Sequence, residues 1–380
     1  MTVWRPVRFG DLVDFHNRRR VPLSKAVRAT RSGPYPYFGA QGIVDRIDDF
    51  IFDGEFLLVA EDGENLRSRK APIARLTTGR FWVNNHAHIV KPKPGLVDEN
   101  FLLHLLNNMP LAGRVTGAAQ PKLTKANLAD LEFECPPYEL QLRIGAFLSA
   151  FDKLIEINER RIELLEDLAR SLYREWFVHF RFPGHENVEF ADSELGPIPE
   201  GWNVYAIGEV AKLRYGKSLT AKTRRPGDIA VVSSAGIIDE HDQMLVEGPG
   251  VVIGRKGNVG SVWWVEGPFF PIDTTYYVES DLPLGFLYWL LSGVDFIDSH
   301  AAVPGLSREQ AMGVRVAIPP IDIVQRFDEA NSAMFSDISG CRARSAHLAA
   351  TRDLLLPRLV TGQLDISDID LGVLTPAEAE

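Results

Sequence analysis

Two stretches of the chain repeat apolar residues at heptad spacing. In the first, Ile144, Phe151, Leu165 and Leu172 fall on one seven-residue frame, with Phe147, Leu154 and Leu168 interleaved and Leu148, Ile155, Ile162 and Trp176 widening the face. This is a coiled-coil pattern with a broad apolar seam. It predicts one helix from Tyr138 to about Val178, roughly 60 Å long at 1.5 Å per residue. Asn158 lies on the seam, where a buried amide can fix register; a solvated position at a helix crossing is its other reading. The second stretch carries Ile323, Phe327, Met334, Ile338, Cys341 and Leu348. Its polar positions Ser339, Arg342, Arg344, Ser345 and His347 make it the weaker of the two, and it is expected to end near Pro357. Each helix has an apolar face to cover, so the pair is expected to pack together, antiparallel.

The pattern elsewhere is of strands and turns. Short β-branched and aromatic runs, "FLLVA" (56–60), "FWVNNHAHIV" (81–90), "VVIGR" (251–255) and "VWWV" (262–265), are bounded by Gly and Pro. "ENFLLHLLNN" and "LGFLYWLLSG" read as short helices. These elements also recur in order. Trp4 and Trp202 open two matching copies, Gly42, Asp45, Gly54 and Gly63 answer to Gly236, Asp239, Gly248 and Gly257, and "AAQPKL" (118–123) answers to "AAVPGL" (301–306). The spacing between copies only shrinks along the chain, as expected if the second copy has shorter loops. The expected fold is therefore α+β, with two pseudo-symmetric mixed α/β domains joined by the two long helices. The boundaries are a first domain over 1–135, a first long helix over 136–180, a linker over 181–200, a second domain over 201–318, a second long helix over 319–358 and an acidic tail over 359–380.

Cys135-Pro136-Pro137-Tyr138 comes within one residue of the loop with which adenine methyltransferases grip the target amino group. A thiol is a weak acceptor for that role. Its repeat partner is Ile318-Pro319-Pro320-Ile321, wholly apolar, so Pro-Pro reads better as the end of a globular unit and the first turn of a helix. His86 and His88 alternate on one strand, but their partners are Thr274 and Tyr276 and no third ligand is evident, so no metal is expected. "FGAQG" (38–42) lacks the frame of a nucleotide-binding loop and reads as a tight turn, and no phosphate-binding loop occurs. No catalytic residue is assigned. The two cysteines, Cys135 and Cys341, are too few for a disulfide framework. No apolar run fits a signal peptide or a membrane span, and the chain is expected to be cytoplasmic.

A net charge of −10 speaks against nucleic acid when taken whole, but its distribution speaks for it. Arg18, Arg19, Arg20, Lys25, Arg28 and Arg31 form a run without acid, and so do Lys212, Arg214, Lys217, Lys222, Arg224 and Arg225 at the matching place in the second copy. With Arg255 and Lys256 they are the candidate DNA-binding residues, phosphate anchors above all. Paired units tied to a spacer suit the reading of two half-sites on double-stranded DNA.

The duplicated Pro-Pro-helix blocks, "QLRIGAFLSAFDKLIEINERRIELLEDLARSLYREWF" after the first and "RDLLLPRLVTGQLDI" closing the second, together with "GPIPEGW" opening the second half, resemble the specificity subunit of type I restriction-modification enzymes. The resemblance covers nearly the whole chain. It implies that each domain reads one half of a split, asymmetric DNA sequence, that the helices act as a ruler and dock two DNA adenine methyltransferase subunits, and that motor-nuclease subunits join for restriction. It further implies that this chain binds no cofactor, S-adenosylmethionine belonging to the methyltransferase and ATP to the motor. A specificity protein of another restriction or phage-defence system is the near alternative. A coiled-coil protein scaffold is the distant one, and it leaves the matched basic runs unexplained.

Overall fold

The computed structural model describes residues 4–111, 113–117, 120–296 and 305–366. "AAVPGL" up to Pro304, Ala118-Ala119 and the acidic tail beyond Ile366 lie outside them. The chain divides into two compact units, 1–157 with 344–380, and 158–343. In the first, β1 (Arg5–Arg8), β2 (Val13–Phe15), β3 (Ser32–Gly39), β4 (Gly42–Ile47), β5 (Phe52–Asp53), β6 (Phe56–Ala60), β7 (Ala74–Thr77), β8 (Arg80–Val83), β9 (Ala87–Pro92) and β10 (Glu132–Cys135) form three sheets. Their orders are β1-β10, β2-β9-β6-β7 and β4-β3-β8-β5. The second unit opens with the small hairpin β11 (Phe190–Ala191) and β12 (Ile198–Pro199). It continues with β13 (Asn203–Ala206), β14 (Lys212–Tyr215), β15 (Ile229–Ser233), β16 (Gly236–His241), β17 (Gly250–Gly254), β18 (Val262–Val265), β19 (Phe269–Pro271), β20 (Thr275–Glu279) and β21 (Arg315–Ile318). Here the orders are β13-β21, β14-β20-β17-β18 and β16-β15-β19. Strand for strand this is the plan of the first unit without the edge strand β5, down to the parallel pairing of β3 with β8 and of β15 with β19.

The first long helix runs from Tyr138 to Tyr173 and closes with a π turn, Arg174–Val178; the second runs from Ile321 to Val360, with Pro357 inside its last turns. Each contributes one half to each unit. In the first unit the opening half of the first helix meets the closing half of the second, where Arg352 pairs with Asp152. In the second unit the closing half of the first meets the opening half of the second, where Arg161 pairs with Asp337 and Arg342 with Glu166.

The packed face of these helices departs from the seam read off the sequence. Ile144, Phe327, Ile338 and Cys341 are buried, and Phe147, Phe151, Asn158, Leu165, Leu172, Ile323, Met334 and Leu348 are half-buried. Leu154 and Leu168, however, are 46% and 54% exposed. The interleaved set is shifted by one residue, to Leu148, Ile155, Ile162 and Ala169, all buried or half-buried. A leucine at either position satisfies a broad heptad pattern, so hydrophobicity alone does not choose between them. In the second helix Val324 and Asn331 are wholly buried, while Ile323 is only partly so. The buried seam amide is thus Asn331, whose Oδ1 accepts the Trp289 indole N–H at 2.9 Å.

Two further segments read as peripheral join the cores. The stretch 181–200 carries buried Phe182 and Ile198, which pack with Trp202, Tyr173, Phe177, Phe286 and Phe327. The start of the expected tail, Leu359, Val360 and Ile366, is buried with Leu356 in the first unit's core. There Gly362, at φ +73°, passes so close to Trp4 that a β-carbon would meet the indole at 2.8 Å. The matching residue of the second unit, Phe180, also has positive φ (57°) and sets its ring edge-on to Trp202, centroids 5.2 Å apart.

One polar joint recurs with its parts exchanged. In the first unit Asp98 caps the helix Glu99–Asn108, accepting the Phe101 amide at 2.8 Å, and Gly145 on the long helix leaves room for its carboxylate. In the second unit the carboxylate comes from the long helix, Asp328, which accepts the Phe286 amide; the glycine is on the short helix, Gly285 of Leu284–Ser292.

Candidate nucleic-acid interface

The basic run of the first unit crosses the short turn Asn17–Arg19 and the helix Lys25–Ala29, between β2 and β3. Its start is fixed from below by Asn17. The Asn17 amide donates to Nδ1 of buried His88 at 2.9 Å, and its Oδ1 accepts the Ile89 N–H. With Nδ1 accepting, Nε2 of His88 carries the proton and donates to the Leu123 carbonyl at 2.7 Å. Burial lowers the pKa of this ring, which holds it neutral. His86 pairs with Asp62. The two histidines thus have structural partners, and no group of three potential metal ligands occurs among the described residues.

The cations of the run divide into two kinds. Arg20 is largely enclosed, paired with Glu61 and donating to the Ala87 carbonyl. Burial opposes the charge of Glu61, but the hydrogen bonds from Arg20 and Lys122 and the charge of Arg20 outweigh it and lower its pKa. Arg28 pairs with Asp45 at 3.1 Å, donates to the Leu23 carbonyl and lies 4.9 Å above the Tyr37 ring. Arg31 pairs with Asp48 and Asp49 and lies over Trp82. Arg19 donates to the Ile51 carbonyl from above Phe52. Arg18 and Lys25 are exposed and make no ion pair among the described residues.

The second unit repeats this division. Arg224 pairs with Asp239 and Arg225 with Asp242, each at 2.8 Å. Asp239 and Asp242 stand at the repeat positions of Asp45 and Asp48, so the same braces tie the basic run to the following hairpin in both copies. The Arg224 pairing holds the Asp239 carboxyl below its usual range. Arg214 pairs with Glu279. Arg255 donates to the Asp273 carbonyl and lies over Tyr215 and Tyr276. Lys212, Lys217, Lys222 and Lys256 are exposed and make no ion pair among the described residues.

The structure therefore divides the basic runs, which the sequence weighted equally. Arg20, Arg28, Arg31, Arg214, Arg224 and Arg225 are engaged with carboxylates. Exposed and without an ion pair among the described residues are Arg18, Arg19 and Lys25 in one unit and the four lysines in the other. Sequence could not separate them, because the bracing acids lie outside the runs, 15 to 18 residues on for Arg28, Arg31, Arg224 and Arg225 and 41 and 65 residues on for Arg20 and Arg214.

Each Pro-Pro junction buries its first proline, Pro136 and Pro319. Gln141, on the first turn of the helix, donates to the Pro136 carbonyl at 2.9 Å and contacts the Cys135 thiol, while its Oε1 accepts the Asp98 N–H. Burial pushes the Cys135 thiol up to about 11, so it is held as the neutral form.

Comparison with known proteins bears on this geometry. Residues 1–167 match the type I restriction modification DNA specificity domain. A putative type I restriction enzyme specificity subunit of Haemophilus influenzae is 27% identical over 340 residues, 84% of this chain and 83% of that protein. The type I restriction enzyme MjaIX specificity subunit of Methanocaldococcus jannaschii is 23% identical, over 82% of this chain and 80% of its own. Among solved structures, the type I restriction-modification S subunit of M. genitalium superposes with a TM-score of 0.60 at 17% identity, over 96% of this chain and 97% of that one, which is a likeness of fold.

Proposed function

We propose, from the premise that the chain belongs to the type I restriction-modification specificity family, that each of its two units reads one part of a bipartite, asymmetric DNA site and that the long helices set the spacing. The observation that carries this reading is the sheet plan built twice, each copy with its own core, braced hairpin and unpaired cations. Two similar readers on one chain match two half-sites about one helical turn apart, roughly 34 to 36 Å centre to centre. The unpaired cations anchor phosphates, and base contacts supply the sequence preference.

The chain contributes recognition, and its partners contribute chemistry. Two methyltransferase subunits, binding S-adenosylmethionine, methylate adenine, and motor-nuclease subunits consume ATP. Docking of the methyltransferases on the long helices is supported by apolar residues of the first helix that the chain leaves uncovered, Leu154 and Ile157 in the first unit and Leu164 and Leu168 in the second.

Exchanging residues 201–332, so that the opening turns of the second long helix travel with the reader, for the matching segment of a relative, then mapping methylated adenines in cells that carry the partner subunits, tests the reading. One half of the target should change and the other persist. A change in both halves would show a joint reading surface. Heptads inserted after Ile157 and after Ala343, which keep both seams in frame, should lengthen the unread spacer by about three base pairs. An unchanged spacer in an active complex would remove the ruler.

A further inference from the structure

The hairpins β3-β4 and β15-β16 share an irregularity. Each carries a β-bulge at the same repeat position, between Tyr37 and Phe38 in one and between Val231 and Val232 in the other. Each then turns through four residues to a glycine of positive φ, Gly42 at 130° and Gly236 at 93°. The next two residues are Ile43-Val44 and Ile237-Ile238. These are 50%, 54%, 63% and 42% exposed.

Neighbouring residues of a strand point to opposite faces. The bulge interrupts that alternation here, since Val44 and Ile238 are the extra residues that pair with nothing on the facing strand, and both members of each pair are turned out to solvent. The hairpins are also stiffened from behind. Asp45 and Asp239, next in sequence, are the carboxylates that hold Arg28 and Arg224. A flat group leans on each turn glycine. A β-carbon on Gly42 would lie 3.3 Å from the Arg75 guanidinium, and one on Gly236 would lie 3.3 Å from the Trp263 ring. Arg75 and Trp263 occupy matching places on β7 and β18, opposite Leu58 and Val252. The Trp263 N–H is already bonded to the Ser234 carbonyl, whereas Arg75 is exposed and makes no ion pair among the described residues. Exposed cations stand nearby, Arg75 itself at one turn and Lys256 at the other, next to Gly257, which packs against Ser234.

Four exposed β-branched residues cost solubility unless they are covered in use, and they occur twice, at one register, on braced and cation-flanked ribbons. A two-stranded ribbon fits the major groove of B-DNA, and the apolar feature offered there is the thymine methyl group. We propose that these two bulged hairpin ends are the base-reading parts of the chain, Ile43-Val44 and Ile237-Ile238 contacting thymine methyls. The flat residue behind each turn makes the two readings differ. Arg75 can donate twice to one guanine, and Trp263 presents only an apolar plane. This rests on the DNA-reading function above, and it assigns that function to residues outside the basic runs.

The test uses the full chain and a randomised duplex library, with sequencing of the bound pool. Three variants are compared with the wild type: Ile43→Ser with Val44→Ser, Ile237→Ser with Ile238→Ser, and Arg75→Ala. Each is expected to lose preference in one half-site only, at unchanged salt dependence, and the intact reading of the other half certifies the fold. Replacing single thymines of the selected duplex by uracil should weaken wild-type binding about fourfold for each buried methyl and leave the matching Ser pair unaffected. Serine pairs that keep the wild-type preference, or that lose both halves together, overturn the proposal while DNA reading stands. A wild-type chain that enriches no sequence removes the DNA reading and this proposal with it.

Discussion

The exits of the two long helices do one job with different materials. Where the first helix leaves, in the second unit, the core is aromatic: Phe177 packs against Phe327, Phe286 and Trp202 with ring centroids 4.9, 5.0 and 6.0 Å apart, mostly edge-on. Where the second helix leaves, in the first unit, the core is aliphatic, with Leu356, Leu359, Val360 and Ile366 beside Trp4. Phe180 and Gly362 bend the chain back in the same left-handed region. The backbone path is thus the shared constraint, and the volume around it is filled by whichever apolar residues each copy has. Phe180 accepts a strained φ because its ring packs on Trp202; Gly362 reaches the same turn without a side chain, and the Trp4 indole fills the space.

The comparison breaks most sharply by truncation. Phe177→Ala should cost about 3–5 kcal/mol and Leu359→Ala about 2–5 kcal/mol in unfolding free energy, the aromatic loss being the larger. Denaturant titration of the full chain measures both; a Leu359 effect well above that of Phe177 would mean the aliphatic exit is the tighter one.

A step down in size concerns the buried amide. Leu148 is the first-unit counterpart of Asn331, and His104 that of Trp289. Asn331→Leu makes the second unit resemble the first but strands the Trp289 N–H, for an expected loss of about 1–3 kcal/mol. Adding Trp289→Phe removes the stranded donor, so the double variant should recover part of that loss in a double-mutant cycle. Additive losses would show that the Trp289–Asn331 bond contributes little.

Smaller again is the contrast between braces and anchors. Arg18→Ala with Lys25→Ala should flatten the salt dependence of DNA affinity by roughly one unit of slope for each phosphate no longer neutralised. Arg28→Ala should leave the slope nearly unchanged while loosening the hairpin. The reverse ranking would return the braces to the DNA face.

The smallest effect is a pH dependence of the exchanged joint. Burial pushes the Asp98 carboxyl up to about 6, partly offset by the Phe101 amide. A raised folded-state value favours the protonated form in the fold. The stability it confers is complete below the usual carboxylate range and is lost as pH rises through about 6. Asp98→Asn keeps the cap without the charge, so its melting temperature should match the wild type near pH 4 and exceed it by a few degrees near pH 7.5. An equal difference at both values would assign the effect to capping alone.

Much of the fold was legible because turns announce themselves. The glycines and prolines that stand in register between copies mark positions where few other residues fit, and these punctuate the same strand order twice. The ambiguous parts were those where one residue type serves two fates. Leu154 is as apolar as Leu148, so the heptad frame admitted both, and only packing separated them. Asn331 interrupts the apolar frame of the second helix, which hid its buried place. Ile43 and Ile237 drew no notice, since nothing in an isoleucine says that a bulge beside it has turned it outward. The arginines of the basic runs looked unpaired because their carboxylates lie outside the runs, in the next hairpin for Arg28, Arg31, Arg224 and Arg225 and farther along the chain for Arg20 and Arg214.

Asp98 and Asp328 show that the border between a globular unit and its long helix is keyed. A graft that seats the second unit's short helix, capped at Pro283, against the first long helix would bring Gly145 to Gly285 and leave that helix end with no carboxylate. The opposite graft would bring Asp98 to Asp328, two acids crowding one amide cluster with no glycine opposite either of them. Interchangeable readers therefore have to travel with the opening turns of the helix that follows them, and the cut that keeps such a chimaera sound lies beyond Gly145 or beyond Asn331, inside the helix, past the Pro-Pro where the sequence alone would place it.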